Sequence, residues 1–134
     1  MIGVGQEFPY FVKNGVDYVN AMCEVAYDDF NGWKVYYFYP KDFTFICPTE
    51  IKGMDMLTSE ATVVGFSGDN EFCKLAWKES NELIQHIQHT LACDSGLELS
   101  KTLGIYDKLN GVCYRATYIV DPDWIIAHMS VNRD

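Results

Sequence analysis

Basic residues are scarce in this sequence. Ten lysines and arginines stand against nineteen aspartates and glutamates, a formal net charge of −9 at pH 7. A field of that sign repels phosphate backbones and anionic lipid headgroups. Nucleic acid and membrane surfaces are therefore disfavoured as partners, and small molecules or other proteins are favoured. Long apolar runs are missing too: residues 35–39 form a strand-sized stretch, far below the about 18 residues of a membrane span. Residues 1–7 hold neither the basic stretch nor the apolar run of a secretory leader, and a cytoplasmic location is expected. Pro/Gly-rich linkers, repeats and low-complexity tracts are absent, so a single domain over residues 1–134 is expected. A Cys-x-x-Cys pair is also absent. The five cysteines (Cys23, Cys47, Cys73, Cys93, Cys113) are odd in number and irregular in spacing, which reads as reduced thiols rather than a disulfide framework.

Apolar side chains are plentiful. Hydrophobic residues make up 49% and aromatics 15%, enough for one core. Residues 33–39 read as a strand buried on both faces, ended by Pro40, and residues 62–67 as a second buried strand. A helix is expected from Cys47 to about Leu57, weakened inside by Gly53. Another is expected over residues 70–86, capped by Asp69 or Asn70, with Phe72, Leu75, Ala76, Glu79 and Leu83 setting its amphipathic spacing. Residues 89–93 read as a short strand and 97–103 as a short helix closed by Gly104. Residues 112–120 and 125–131 read as strands joined through Asp121, Pro122 and Asp123. Alternating strands and helices followed by a hairpin predict an α/β domain: a thioredoxin-like fold, its mixed central sheet flanked by helices, with a C-terminal β-hairpin.

The segment from Pro40 to Glu50 carries the chemistry. Cys47 stands where a buried strand ends and a helix begins, the place where open α/β sheets bind ligands. There it faces unpaired backbone N–H groups and the positive end of the helix dipole, which favour thiolate over thiol. Pro48 suits the first helical turn. A free thiol is already about 3% ionised at pH 7, so full ionisation gains only about 30-fold. Positioned donors must supply the rest. Thr44, three residues earlier, can put a hydroxyl on the same face of the turn, Arg115 can bring a fixed cation from a neighbouring strand, and Pro40 can shape and dry the pocket. A lone cysteine in so apolar a chain is most often simply buried; the Thr-x-x-Cys-Pro sequence after a strand shifts the balance to Cys47.

Residues 39–51 resemble the signature of the peroxiredoxins, in the branch that contains the peroxidase subunit of bacterial alkyl hydroperoxide reductase. Pro40, Thr44 and Cys47 match the family pattern. Residues 64–72, Trp77 and residues 114–121 resemble the same branch in the same order. The resemblance implies Cys47 as peroxidatic nucleophile, Thr44 and Arg115 as activators, Glu50 as support, and no cofactor or metal. It implies oxidation of Cys47 by hydrogen peroxide or alkyl hydroperoxides to a sulfenic acid, then reduction by a thiol. A thioredoxin-like protein, a dedicated disulfide reductase or a small thiol would serve as reductant, and the protein would be a homodimer or higher oligomer, with residues 125–131 as a sheet edge where subunits pair.

Members of that branch continue past the hairpin into a long helix and a tail with the resolving cysteine, whereas this sequence stops at Asp134. Lys52 occupies an alternative resolving position, and none of Cys23, Cys73, Cys93 and Cys113 matches one, so no resolving cysteine is identified. Glu50 stands where a thioredoxin-type second cysteine would be, which removes that activity. His86, His89 and Cys93 match zinc spacing weakly, against the simpler reading of solvated histidines at a helix end. Tyr37, Tyr39, Phe43 and Phe45 could line an apolar substrate site or belong to the core. The competing function is non-enzymatic: a peroxide sensor or holdase chaperone on the same fold.

Overall fold

The computed structural model describes residues 1–44 and 47–133. Phe45 lies outside them, so its expected place near the site has no structural counterpart. A seven-stranded sheet runs in the order β2 (Met22–Ala26), β1 (Val12–Val16), β5 (Thr90–Cys93), β4 (Thr62–Ser67), β3 (Lys34–Phe38), β8 (Arg115–Val120), β9 (Ile126–Asn132). Strands β3, β4 and β5 are parallel, and β8 and β9 continue antiparallel. The sheet is mixed, as expected.

On the far side, β1 pairs antiparallel with both β5 and β2. This hairpin is absent from the sequence reading. Its burial is confined largely to one end of each strand, so no period-2 apolar pattern announces it. A small second sheet joins β6 (Tyr106–Asp107) to β7 (Val112–Cys113), which splits the strand expected over 112–120. The break falls at Tyr114, whose N–H turns to the Ile105 carbonyl (2.8 Å).

Alternation along β3 divides the core in two. Tyr36 and Phe38 pack with Phe66, Tyr118 and Phe8 on one face, and Val35 and Tyr37 pack with Tyr39, Cys47, Ile51 and Trp77 on the other. The second face is covered by α1 (Cys47–Met54) and α2 (Glu71–Ser80); α3 (Glu98–Leu103) lies on the first. Helix α1 gives way to a 3-10 turn over Asp55–Ser59, close to the expected end. Helix α3 ends at Gly104, whose φ of +82° suits a residue without Cβ.

Helix α2 departs from its expected form twice. It stops at Ser80 rather than residue 86, because Asn81 is extended and its side chain accepts the Leu83 N–H (2.9 Å). Its buried face is Lys74, Trp77 and Lys78, while Phe72 is 66% exposed and Leu83 49%. Lysines can turn inward here because each ammonium finds acceptors: Lys78 donates to the Asp17 carbonyl (2.9 Å), and Lys74 to Ser67 Oγ (2.5 Å). The expected cap holds, with Asn70 accepting the Cys73 N–H (2.8 Å).

Candidate active site

Antiparallel pairing of β3 with β8 builds the site. Phe38 lies opposite Ala116, so the start of β8 sits beside the end of β3, where the chain turns through Pro40 toward α1. Ala116, Tyr118 and Val120 enter the first core. By alternation Arg115 projects to the opposite face, where Cys47 opens α1. Residues 68 apart in the chain thus meet: Arg115 Nη1 donates to Cys47 Sγ at 3.5 Å and to Glu50 Oε2 at 2.6 Å. Glu50 is three residues after Cys47, so one helical turn brings both to the same guanidinium. Burial works to lower the Arg115 pKa, but the Cys47 sulfur and the Glu50 carboxylate outweigh it and hold it above its ordinary value. The cation is permanent.

Thr44 lies where its spacing predicts. Its Oγ1 accepts the Cys47 N–H at 3.4 Å, satisfying one of the orphan donors of the first turn. Cys47 itself is fully buried, among Tyr39, Ile51 and Trp77. Pro40 is half-buried and lines, with Arg115, Lys41 and Tyr114, a cavity of about 370 Å³. Arg115 and Glu50 also border a groove of about 390 Å³ with Tyr37, Met54 and Thr117. The five residues singled out from sequence are thus gathered around the end of β3, with Arg115 in contact with the sulfur. Tyr37 and Tyr39 are core residues, whereas Phe43 is 56% exposed with φ +59°.

The remaining thiols are disposed around this point. All five cysteines are free. Cys113 packs in the core on the other side of the sheet, its S–H donating to the Tyr39 carbonyl at 3.1 Å. Burial pushes its pKa up to about 12 and that of Cys93 up to about 11. Cys73 is also raised to about 11, by burial and then by Asp42 and Asp69. None of these three is poised as a thiolate.

The histidines are not a zinc site. His86 is exposed, whereas His89 is buried and committed at both ring nitrogens, Nε2 to the Tyr37 hydroxyl (2.6 Å) and Nδ1 to Asp55 Oδ1 (2.7 Å). The picture of two solvated helix-end histidines is therefore half right. Gly65 makes the Tyr37 contact possible, since a Cβ there would stand 2.4 Å from the phenol. Among the described residues, the group with metal-ligand spacing is instead Asp42, Asp69 and Cys73. The Lys74 ammonium, 3.4 Å from Asp42, already supplies a positive charge there. The sequence alone did not point to Lys74, Ser67 and His89 as neighbours of the site. The one available signal was the pair of lysines at the Trp77 face of α2.

Fold and site together define a thioredoxin-like α/β domain that presents a cysteine at a helix N-terminus against a strand-borne arginine. Residues 4–129 match the model of the AhpC/TSA family, and the chain belongs to that family. It is 37% identical to the mitochondrial thioredoxin-dependent peroxide reductase of Mus musculus, over 96% of this chain and 53% of that protein. It is 32% identical to alkyl hydroperoxide reductase C of Mycolicibacterium smegmatis, over 98% of this chain and 76% of that one. The chain spans about half the length of the mitochondrial relatives. Among solved structures, Enterococcus faecalis AhpC superposes with a TM-score of 0.91 at 28% identity, covering 98% of this chain and 82% of that one. A reduced 2-Cys peroxiredoxin of Plasmodium vivax gives 0.89 at 32% identity, with coverages of 98% and 73%.

Proposed function

We propose that this domain is a thiol-dependent peroxidase. The observation that carries the reading is the Cys47 sulfur at the start of α1, 3.5 Å from the Arg115 guanidinium. The Cys47 thiolate attacks one peroxide oxygen; an S–O bond forms as the O–O bond breaks. The departing alkoxide or hydroxide takes a proton and leaves as alcohol or water, and Cys47 becomes a sulfenic acid. Arg115 lies where it can hold both the thiolate and charge growing on the leaving oxygen, while Glu50 fixes the guanidinium plane. An external thiol then condenses with the sulfenic acid, releasing water and forming a mixed disulfide, and a second thiol restores Cys47.

The names of the relatives favour a peroxide, alkyl hydroperoxides included, as substrate and a thioredoxin as reductant. The five free thiols fit a reducing compartment such as the cytoplasm. Strand β9, at the sheet edge, offers a surface for pairing with a second copy. Peroxide consumption with excess dithiothreitol, compared between the wild type and Cys47→Ser, tests the activity. Loss in the variant is expected, and equal rates overturn the reading.

A further inference from the structure

Of the two lysines turned into the interior from α2, Lys74 reaches the segment that leads to Cys47. It is fully buried, and its ammonium donates to Ser67 Oγ (2.5 Å), to the Asp69 carbonyl (3.0 Å) and to both Asp42 carboxylate oxygens (3.4 Å each). The Ser67 hydroxyl donates in turn to Asp42 Oδ1 (3.0 Å), and the Asp42 N–H donates to Asp69 Oδ2 (2.7 Å). Asp42 is thereby gripped at its side chain and its backbone, from the end of β4 and from the entry and first turns of α2.

The residues that follow are held less firmly. Phe43 is exposed and left-handed, a conformation that side chains resist. The Thr44 hydroxyl meets the Lys41 carbonyl at 3.5 Å and the Cys47 N–H at 3.4 Å, both at the long limit of a hydrogen bond. Among the described residues, the shorter bonds of the segment lie at Asp42, two residues before Thr44. Among the described residues, the firm contacts that hold the approach to Thr44 are at Asp42, and Asp42 is fastened by Lys74.

We propose that Lys74 is a positioning residue for peroxide reduction: by clamping Asp42 it holds residues 42–44 so that the Thr44 hydroxyl stays against the N-terminus of the Cys47 helix. The inference rests on the peroxidase reading above. Its chemical content is alignment. Attack on a peroxide needs the O–O bond in line with sulfur, whereas alkylation of the same thiol by iodoacetamide makes no such demand on Thr44. Loosening Asp42 should separate the two reactions.

The test uses single-turnover oxidation of Cys47 by hydrogen peroxide, alkylation by iodoacetamide, and hydrogen exchange at the Cys47 amide. Lys74→Met is expected to slow peroxide oxidation about 100-fold, the scale of an approximately 1 Å misplacement, and alkylation less than about threefold. Protection of the Cys47 amide should fall, because Thr44 is its acceptor. Lys74→Arg, which keeps the charge, should recover part of the peroxide rate. Lys74→Met alone leaves a buried carboxylate unpaired and risks unfolding. The double variant Asp42→Asn/Lys74→Met removes both charges, and it should fold and remain slow with peroxide. Equal losses in both reactions overturn the proposal. So does a peroxide rate within about threefold of wild type with unchanged amide exchange, well short of the misplacement penalty. A wild-type thiol inert to peroxide would overturn the peroxidase reading instead; exchange at the Cys47 amide then decides by itself whether Lys74 holds Thr44.

Discussion

One nitrogen of Arg115 serves two groups: Nη1 stands 3.5 Å from the Cys47 sulfur and 2.6 Å from Glu50 Oε2. The Glu50 side chain is 40% exposed and that of Arg115 24%, so the pair contributes little to stability. Its consequence is orientation, since the short bond to Glu50 aims the nitrogen that also faces sulfur. Replacing Arg115 by Gln is expected to slow peroxide oxidation of Cys47 by about 100- to 1,000-fold, the scale measured for removal of one preorganised donor. Glu50→Gln keeps an acceptor but drops the charge, and should cost about two- to fivefold, in line with a partly exposed ion pair. Stopped-flow Trp fluorescence, with Trp77 in the Cys47 cluster as reporter, measures both.

Cys113 is close to Cys47 in the fold diagram but not in chemistry. The sheet lies between them, and the Cys113 thiol is bonded to the Tyr39 carbonyl and raised to about 12 by burial. Intact mass after one equivalent of peroxide, followed by a sulfenic-acid trap, should therefore show a single adduct at Cys47. Cys113→Ala should leave that pattern unchanged. A Cys47–Cys113 disulfide in the peptide map would refute the separation.

Gly65 is required by its neighbour. A methyl group there would meet the Tyr37 phenol at 2.4 Å, inside a packed core where the ring cannot swing away. Gly65→Ala should lower stability by about 1–3 kcal/mol, the usual penalty of overpacking. Thermal or urea unfolding reads it directly.

His89 makes stability depend on pH. Burial lowers its pKa below the ordinary 6.5, and the Asp55 carboxylate only partly opposes this. A histidine whose folded pKa is depressed binds its proton more readily in the unfolded chain. Its contribution is therefore complete above about pH 6.5 and is lost as pH falls through the lower folded value. Asp55 adds a second loss further down. Burial raises its pKa, but its bonds to His89 and to the Gln88 N–H outweigh that and hold it below 3.8. Urea midpoints at pH 7.5 and 5.5 should fall more in the wild type than in His89→Gln, which cannot titrate. Parallel declines would remove His89 as the cause.

Much of the site was legible because it is local. Thr44, Cys47, Pro48 and Glu50 sit within one turn and its approach, and a strand ending at Pro40 before them is enough to place a thiol at a helix N-terminus. Strands β3 and β4 were equally plain, being continuous runs of β-formers buried on both faces. Arg115 was singled out as a fixed cation on a neighbouring strand, and again by its resemblance block. Its meeting with sulfur follows from antiparallel register, Phe38 against Ala116, which no local pattern encodes. The N-terminal hairpin stayed hidden because β1 and β2 find their place by pairing with β5 and each other, not by an apolar period. The inward lysines of α2 ran against every pattern, since charged side chains ordinarily face water. Only the assembled fold supplies Asp42, Ser67, the Asp69 carbonyl and the Asp17 carbonyl as acceptors. The sequence by itself therefore determined which thiol is proposed to react, because that depends on one turn of backbone. The tertiary structure decided what holds that turn in place, because those partners come from segments 25 to 68 residues away whose contact exists only once the sheet has closed its register.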